Sequence, residues 1–370
     1  MITGLGPGGA ERLLVAAAPH VNRDRFDVSA CYLLPWKDHL AADLEAAGIP
    51  VRCLDVRRVW DPSWVRGLRS VLDRGGHDVV HAHLPAAGVG ARMAARRMGA
   101  GRPAVVYTEH NTWDRYRPVT RRLNARTFAW NDAAIAVSGA VAASIRARAP
   151  EVTVIPNGVD AGGIRRSALP RAEARTALGL AGDALVVGTV GGITAKKDHV
   201  GLVRAARRVV DACPGARFVF VGLAIDPEPV RAEIGRLGLE DSVTLAGYRP
   251  DAVSLMPAFD VYCLPSRFEG MPVSLLEAMA VGLPSVATAV GGVREVATSG
   301  EDAMVVPPAD PDSLAAALVE LARDPDRRRA MGERARATAE RFSVEAMVRG
   351  MEAVYEAVLR RQSAGRAPGD

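Results

Sequence analysis

Two glutamates stand eight residues apart in the segment Pro265–Ala280, and their settings favour binding of a sugar. Glu269 lies in the loop directly after the apolar run Val261–Leu264, and Glu277 lies about one turn into the helical stretch that follows. Ligands of open α/β sheets bind just outside the carboxyl ends of the strands, where a carboxylate at Glu269 can accept hydrogen bonds from sugar hydroxyls. The neighbours of Glu277 are apolar on nearly every side, which disfavours an ordinary solvated helix position.

Three stretches offer backbone N–H groups to a phosphate or a sugar oxygen. One follows Glu269 and consists of Gly270, Met271 and Val273. The others are glycine-rich turns, Gly4–Glu11 and Val190–Asp198, and each runs into a helical stretch whose N-terminus adds partial positive charge. For the first turn, a tight strand–helix connection without a ligand is the alternative.

The second glycine-rich turn also carries adjacent lysines, Lys196 and Lys197, a few residues after Gly191 and Gly192. The only other lysine of the chain is Lys37, because the basic residues are otherwise arginines. A lysine at the mouth of such a turn can neutralise a diphosphate that becomes a leaving group. The alternative is a pair of exposed lysines without a role.

Other chemistries fit less well. Paired carboxylates are typical of glycosidases, but a hydrolase has no use for two phosphate-type turns. An NAD-dependent oxidoreductase needs a glycine fingerprint with a ribose-binding acid about 20 residues further on, and the sequence lacks it. A metal site is poorly supported, because His81 and His83 have no third ligand nearby in the sequence. Asp310-Pro311-Asp312 and Asp324-Pro325-Asp326 have the form of metal-binding Asp-x-Asp motifs but are typical of helix starts.

Short apolar strands alternate with helical stretches throughout the 370 residues, which predicts an α/β protein with doubly wound parallel sheets. The pattern runs through twice, so we expect two Rossmann-like domains facing a central cleft, over residues 1–165 and 166–342. A C-terminal helix over 343–361 is expected to pack back on the first domain. Only Met1–Thr3 precede the first glycine-rich turn, so the first strand is expected to be a stub or to begin upstream.

Composition and charge add information about partners and compartment. Hydrophobic residues make up 49% and charged residues 24%, and no apolar run approaches the roughly 20 residues of a membrane span. Four scattered cysteines and an N-terminus without a secretion signal favour a cytoplasmic protein. Residues 1–165 hold 22 Lys and Arg against 15 Asp and Glu, which favours an anionic partner over that half, such as a phosphorylated acceptor or a membrane surface. A solvated arginine-rich surface is the alternative.

Several of these segments together resemble glycosyltransferase family 4, the retaining group 1 enzymes of the GT-B fold. The resemblance extends over nearly the whole chain, and the part from Pro265 to Pro284 is highly specific. The matching segments are Gly8-Gly9-Ala10-Glu11-Arg12, Ile155-Pro156-Asn157-Gly158-Val159-Asp160, the lysine turn and Glu269-x7-Glu277.

The resemblance implies a role for each matching residue. Glu277 is expected to bind the ribose of the nucleotide, Lys197 to face the diphosphate, and Glu269 to contact the transferred sugar. His110 is expected near the sugar and the acceptor, which makes Glu269, Lys197 and His110 the candidate catalytic residues. The candidate donor-binding residues are Gly8, Gly9, Gly191, Gly192, Lys196, Lys197, Tyr248, Arg249, Arg267, Glu269, Gly270, Met271, Pro272, Val273 and Glu277.

One position departs from the family pattern. The family usually carries Arg directly after the first glycine of the lysine turn, where this chain has Gly192. One cation for the diphosphate is therefore missing, and Lys196 and Arg267 are the candidates to replace it.

The expected function is retaining transfer of a sugar from a nucleotide-diphosphate donor to an acceptor alcohol, in the synthesis of a cell-surface polysaccharide or glycolipid. Neither a metal nor a cofactor is expected beyond the nucleotide sugar, and no nucleic acid. The expected partners are an acceptor sugar or lipid-linked glycan and the anionic inner face of the membrane. Two arginine-rich clusters, Arg92–Arg102 and Trp113–Arg126, are expected to form the membrane-facing surface. A GT-B epimerase and a non-catalytic nucleotide-sugar-binding protein are the alternatives.

Overall fold

The computed structural model describes residues 1–59, 61–145, 151–180 and 182–366, which form two compact units. Unit 1 consists of Met1–Gly158 and Val344–Asp370, and unit 2 of Val159–Ser343. The boundary thus lies a few residues before the expected position at 165. The reason is that Val159 donates its N–H to the carbonyl of Phe342 at 2.9 Å and pairs with Ser343, so the chain already belongs to unit 2 there.

Unit 1 contains a parallel four-stranded sheet of order β3-β4-β5-β6 and a parallel pair β1-β2. Its strands are β1 (Ala30–Tyr32), β2 (Val51–Cys53), β3 (Val79–His83), β4 (Ala104–Glu109), β5 (Ala133–Ala136) and β6 (Val152–Val154). The central strand β4 is buried at every position, as expected for a parallel strand covered on both faces.

The first residues of the chain connect the two sheets of unit 1. Ile2 forms a parallel bridge with Tyr32, and its N–H donates to the carbonyl of Cys31 at 3.0 Å. On the other side, the N–H of His83 donates to the carbonyl of Met1 at 2.8 Å. Met1–Thr3 therefore lie as a strand stub between β1 and β3, and the glycine-rich turn follows at the carboxyl edge of the sheet.

Helices cover the sheet of unit 1, and the last helix of the chain is among them. They are α1 (Gly9–Ala17), α2 (Ala41–Ala46), α3 (Trp64–Gly75), α4 (Pro85–Arg96), α5 (Pro118–Phe128), α6 (Gly139–Ser144) and α15 (Val344–Arg366), with 3-10 turns at Ala18–His20, Gly99–Gly101 and Trp113–Arg115. The hydroxyl of Tyr355 on α15 lies 2.6 Å from Nδ1 of His81 on β3, so this helix packs directly against the sheet.

Unit 2 has a parallel six-stranded sheet of order β12-β11-β10-β7-β8-β9. Its strands are β7 (Val186–Val190), β8 (Arg217–Val221), β9 (Val243–Gly247), β10 (Val261–Leu264), β11 (Ser285–Thr288) and β12 (Met304–Val306). The inner strands β10 and β11 are buried at every position, whereas the edge strands β9 and β12 are mostly half-buried. Burial on both faces explains the continuous apolar runs that predict these strands from the sequence.

Helices flank the sheet of unit 2 and fix the loops at its carboxyl edge. They are α7 (Ala161–Ser167), α8 (Arg171–Ala177), α9 (His199–Ala212), α10 (Glu228–Leu237), α11 (Val273–Val281), α12 (Val293–Val296), α13 (Pro311–Arg323) and α14 (Pro325–Arg341), with 3-10 turns at Ala195–Lys197 and Met256–Ala258. The carboxylates of Asp310 and Asp324 accept hydrogen bonds from backbone N–H groups at the starts of α13 and α14. Both Asp-Pro-Asp motifs are thus helix starts.

Candidate active site

The loops after the strands of unit 2 meet at the carboxyl edge of its sheet. The N–H of Gly191, after β7, donates to the carbonyl of Val221 at 2.9 Å, and the N–H of Gly222, after β8, donates to that of Gly247 at 2.8 Å. A Cβ atom on Gly222 would lie 2.0 Å from the carbonyl oxygen of Gly191, so only glycine permits this approach. Backbone therefore lines this edge, as a phosphate-binding site requires.

Glu269 lies at the centre of this edge, directly after β10, and its side chain is only 6% exposed. Its Oε1 accepts a hydrogen bond from Nζ of Lys197 at 2.7 Å, and its Oε2 lies 3.6 Å from Nζ of Lys196. Burial alone would raise the pKa of this carboxyl, but the two lysines and hydrogen bonds from Lys197 and Ser266 lower it to about 2. Glu269 is therefore an anion at neutral pH, held between two cations.

The residues that hold Glu269 include two that sequence reasoning missed. The hydroxyl of Ser266 donates to Oε1 of Glu269 at 2.6 Å. Gly291, after β11, has φ of +49°, and a Cβ atom there would lie 2.0 Å from the carbonyl oxygen of Glu269. The next residue, Gly292, donates its N–H to the carbonyl of Gly270 at 2.8 Å. The pair Gly291–Gly292 after a buried strand was the available sequence signal.

The lysine turn is attached to the Glu269 loop through its backbone. Arg267 donates its N–H to the carbonyl of Lys196 at 2.9 Å, and its Nε lies 3.2 Å from Oδ2 of Asp198. Asp198 in turn caps α9 by accepting from the N–H of Gly201 at 3.3 Å. Two segments 70 residues apart in sequence, around 197 and 267, therefore form one rigid edge.

Glu277 lies on α11, which begins at Val273 directly after the buried residues Gly270, Met271 and Pro272. Its side chain is half-buried. Burial first, and then the charges of Glu277 and Glu269, raise the pKa of Tyr262 on β10, so both carboxylates act on the same part of the sheet. The structure thus brings together most of the donor residues expected in unit 2.

The loop after β9 carries Tyr248 and Arg249, which the family resemblance places beside the nucleobase. Arg249 donates to both carboxylate oxygens of Asp251, at 2.8 and 2.7 Å, and to the carbonyl of Ala177 at 3.2 Å. Its guanidinium is therefore engaged in fixing the loop itself. Tyr248 is half-buried next to it.

In unit 1, the first glycine-rich turn leads into α1, which begins at Gly9 with Gly8 as its N-cap residue. The Glu11 side chain folds over Gly8. Burial raises the pKa of Glu11, against a backbone hydrogen bond and the charge of Lys37, which lower it. This turn therefore has a carboxyl group and a lysine beside its glycines.

His110 follows β4 and joins a cluster of histidines. Its Nε2 lies 3.0 Å from Nδ1 of His83, and Nε2 of His81 lies 2.7 Å from Oγ1 of Thr108. Burial first, and then neighbouring positive charges, hold the pKa values of His81 and His83 well below the ordinary value, so both imidazoles are neutral. Within the described ranges, no group of three or more His, Cys, Asp or Glu side chains has the arrangement of a metal site.

The loop after His110 is built around Glu109, whose role the sequence did not reveal. Glu109 is fully buried, and burial raises its pKa against hydrogen bonds that lower it. Its carboxylate accepts from the hydroxyls of Tyr107 (2.8 Å) and Tyr116 (2.5 Å), Nε1 of Trp113 (2.8 Å), Nδ2 of Asn124 (3.4 Å) and the N–H groups of His110 (3.0 Å) and Asn111 (3.3 Å). Glu109 therefore fixes the backbone at His110.

Two models of known protein families match the chain. Residues 7–162 match Glycosyltransferase Family 4, and residues 170–338 match Glycosyl transferases group 1. This chain belongs to glycosyltransferase family 4. It is a group 1 glycosyltransferase of the class that uses nucleotide sugars, as the sequence predicts.

Two full-length relatives and a solved structure agree with this assignment. EpsD of Bacillus subtilis is 28% identical over 350 residues, which cover 88% of this chain and 90% of that protein. The UDP-Gal:alpha-D-GlcNAc-diphosphoundecaprenol alpha-1,3-galactosyltransferase of Escherichia coli is 26% identical over 337 residues, 85% of each chain. Anabaena HepE, solved in complex with UDP-glucose, has a TM-score of 0.84 at 24% identity, over 96% of this chain and 98% of that one. The likeness confirms the GT-B fold class.

The surroundings of Gly192 show what takes the place of the usual family arginine. A Cβ atom on Gly192 would lie 3.2 Å from Cδ1 of Ile225. Ile225 itself is 62% exposed, so its side chain has room to move. An apolar side chain from the loop after β8 therefore borders the position where the family carries a cation.

The expectation that both arginine-rich clusters of unit 1 lie on its surface is partly wrong. Arg92 is buried, where it donates to Asn131 at 2.8 Å and to Asn124 at 2.9 Å, and Trp113 is buried against Glu109. Arg102 forms an ion pair with Asp132 at 2.7 Å. A buried guanidinium needs several acceptors, which Arg92 finds in these asparagines. None of the three side chains is therefore available to a membrane surface. The exposed arginines of the second cluster are Arg115, Arg117, Arg121, Arg122 and Arg126.

Proposed function

We propose that this glycosyltransferase transfers a hexose-type sugar from a nucleoside diphosphate donor to an acceptor alcohol with retention of anomeric configuration. The observation that carries the proposal is the buried, ionised Glu269 held between Lys197 and Lys196 beside glycine turns. HepE, with the same fold, was solved with UDP-glucose, which supports a diphosphate donor at this edge. The acceptor of the Escherichia coli relative is linked to diphosphoundecaprenol, which supports a role in polysaccharide or glycolipid synthesis.

In this mechanism, Lys197 stabilises the negative charge that develops on the departing diphosphate. Glu269 accepts hydrogen bonds from hydroxyls of the transferred sugar. Lys197 and Ser266 hold Oε1 of Glu269 at 2.7 and 2.6 Å, so Glu269 is fixed to orient the sugar, and no enzyme nucleophile is required. The bond from the anomeric carbon to the diphosphate oxygen breaks, and the acceptor oxygen forms the new bond on the face that the leaving group vacates. The acceptor's proton passes to the departing diphosphate, with His110 near the acceptor.

The proposal is tested by incubating the protein with UDP-glucose and candidate acceptor glycans and determining the anomeric configuration of the product by NMR. An α-linked product from an α-linked donor is the expected result. An inverted product would reject retention, and a changed sugar in recovered donor without acceptor, detected by HPLC, would identify an epimerase instead.

Replacement of Glu277 by Gln is expected to weaken donor binding about tenfold or more, because a hydrogen bond to a charged group contributes roughly 1.5–3 kcal/mol. The ribose hydroxyls would lose their carboxylate acceptor on α11. Calorimetric titration with UDP-glucose measures the effect, and Glu295→Gln on α12 of the same unit is the control. Unchanged affinity in a folded Glu277→Gln protein would remove Glu277 from the donor site.

Activity is expected to persist in excess EDTA, because Lys197 and helix N-termini are proposed to supply the positive charge that a divalent cation supplies elsewhere. Initial rates with and without chelator measure this. Loss of turnover in EDTA that Mn²⁺ or Mg²⁺ restores would contradict metal independence.

We also propose that unit 1 docks reversibly on anionic lipid through α5. This helix exposes Val119 (67%) and Leu123 (48%) among the exposed arginines, and the sequence from Arg115 to Asn131 contains no acidic residue. An amphipathic helix of this composition suits the headgroup layer of an anionic membrane. Among the described helices, none has the length and apolar character needed to cross a membrane.

Co-sedimentation with phosphatidylglycerol vesicles at low salt is expected to recover the protein, and phosphatidylcholine vesicles to leave it in solution. The double variant Arg121→Gln/Arg122→Gln should weaken binding roughly tenfold or more, since each basic residue near the surface adds about 1 kcal/mol. The matched control is Arg231→Gln/Arg329→Gln, two exposed arginines of unit 2. Equal binding of both double variants would refute docking through α5.

A further inference from the structure

Two of the three lysines of the chain, Lys37 and Lys197, share one structural setting, although arginine supplies the other basic residues. Lys197 has its Cε 3.4 Å from the position that a Cβ atom on Gly191 would take. Lys37 lies against Gly4 in the same way, with its Cβ and Cδ 2.7 and 2.8 Å from the corresponding position. In each unit, a lysine side chain therefore lies along a glycine of the turn after a strand.

The loop that carries Lys37 is exposed at its tip but anchored at its base. Trp36 is 55% exposed, and Lys37 is exposed beside it. The N–H of Leu5 donates to the carbonyl of Lys37 at 2.6 Å, and the N–H of Leu40 donates to the carbonyl of Leu5 at 3.0 Å. These bonds fix the loop to the first glycine-rich turn, so both side chains are presented from a defined backbone.

The position of the loop is that of a ligand site. It follows β1, and the glycine-rich turn follows the stub Met1–Thr3, which runs parallel to β1. His110 follows β4, which pairs in parallel with β3, and β3 is the neighbour of the same stub. All three segments therefore lie at the carboxyl edge of the sheet in unit 1, where ligands of open α/β sheets bind.

The two side chains together favour one kind of ligand. An exposed indole offers a flat apolar face, which suits the C–H face of a sugar ring. A lysine ammonium is a compact point charge that binds phosphate. The expected donor contacts are Lys197 in unit 2 and the glycines Gly8 and Gly9 in unit 1. Lys37 is not among them, so an anion at Lys37 fits the other substrate, the acceptor.

We propose that Trp36 and Lys37 form an acceptor subsite for a phosphate-bearing sugar, an inference that rests on the proposed glycosyltransferase function. Lys37 binds the phosphate and Trp36 packs on the sugar ring. Glu11, which also acts electrostatically on Lys37, competes with the phosphate for this cation.

The test is calorimetric titration of the full chain with glucose 1-phosphate, in excess UDP so that the donor cations are occupied. Lys37→Gln is expected to weaken binding about tenfold or more, and Trp36→Ala several-fold. Glu11→Gln should tighten binding, because it removes the competing carboxylate. Arg69→Gln, an exposed basic residue on α3 of the same unit, is the control and should bind as the wild type does.

Titrations with glucose alone and with inorganic phosphate alone separate the contributions of Trp36 and Lys37. Glucose binding should depend on Trp36 and not on Lys37, and phosphate binding on Lys37 and not on Trp36. Wild-type affinity of Lys37→Gln for glucose 1-phosphate would overturn the proposal. UDP-glucose should raise the melting temperature of Lys37→Gln and of the wild type by the same amount. No rise in either protein would reject the donor site without affecting the result of the acceptor titration.

Vesicles distinguish a lipid-borne acceptor from a soluble one. Phosphatidylcholine vesicles that contain a polyprenyl phosphate should bind the wild type better than plain ones if the phosphate is lipid-borne, and Lys37→Gln should lose the difference. Equal binding to both, with Lys37-dependent binding of glucose 1-phosphate, identifies a soluble sugar phosphate. Trp36-dependent binding to plain phosphatidylcholine vesicles, with glucose 1-phosphate affinity unchanged in both variants, would make the loop a membrane contact and refute the subsite.

Discussion

Replacement of Lys197 by Met is expected to lower kcat about 10²- to 10³-fold, with a much smaller change in donor affinity. The ammonium of Lys197 would interact most strongly with the diphosphate when its negative charge develops, so its loss affects the transition state more than the bound donor. Glu269 keeps Ser266 and Lys196 as partners, and methionine retains most of the side-chain volume, so the fold should be preserved.

Single-turnover rates with UDP-glucose and an accepted acceptor measure the effect on Lys197→Met. Lys196→Met is the matched comparison. Nζ of Lys196 lies 3.6 Å from Glu269, against 2.7 Å for Lys197, so its loss should lower kcat less. A kcat within a few-fold of wild type in Lys197→Met would mean that another cation stabilises the leaving group.

Replacement of Glu269 by Gln is expected to reduce kcat/KM about 100-fold or more. An amide accepts hydrogen bonds from sugar hydroxyls more weakly than a carboxylate, and two bonds to a charged group contribute roughly 1.5–3 kcal/mol each. The variant also leaves Lys196 and Lys197 without the anion between them. Steady-state kinetics measures the loss, and Glu301→Gln, an exposed position of the same unit, is the control.

The same variant has a characteristic dependence on pH. The pKa of Glu269 is lowered from 4.5 to about 2 in the folded protein, so its ionisation stabilises the fold fully above pH 4.5. That contribution is lost as the pH falls from about 4.5 through about 2. The difference in melting temperature between wild type and Glu269→Gln should therefore shrink across this interval, and a difference independent of pH would contradict the ion pairing.

Much of the fold follows from the sequence because the strands are buried on both faces. Val261–Leu264 is predicted and found with the same bounds, since four consecutive apolar residues ended by Pro265 leave little freedom of placement. Within residues 26–33, only Ala30–Tyr32 forms a strand, and its partner β2 is itself three residues long. A strand extends only as far as its neighbour offers hydrogen bonds, which the sequence of one segment does not contain.

The site divides in the same way. Glu269 and Lys197 belong to short local motifs, and the structure pairs them across 72 residues. Arg92 was assigned to a surface, but it is buried and donates to Asn131 and Asn124, which lie 39 and 32 residues further along the chain. The placement of Arg249 beside the nucleobase stays a prediction, and its partner Ala177, 72 residues away, could not be read from the motif. A motif specifies residue types, whereas the partners of a long side chain depend on how separate elements pack.

The arrangement of the two units has a consequence for biosynthesis. Unit 2 is one uninterrupted stretch, Val159–Ser343, whose first and last residues pair with each other. Unit 1 consists of the remaining two pieces, and its final piece includes α15, whose Tyr355 contacts His81.

During translation, unit 2 can therefore reach its native structure while the ribosome is still at work, whereas unit 1 is incomplete until the last helix emerges. The hydrophobic face of β3 and its neighbours therefore stays exposed while Val159–Ser343, about half of the chain, is synthesised. Truncation before Val344 should consequently leave unit 2 folded and unit 1 prone to aggregation, even though every strand of unit 1 precedes the cut.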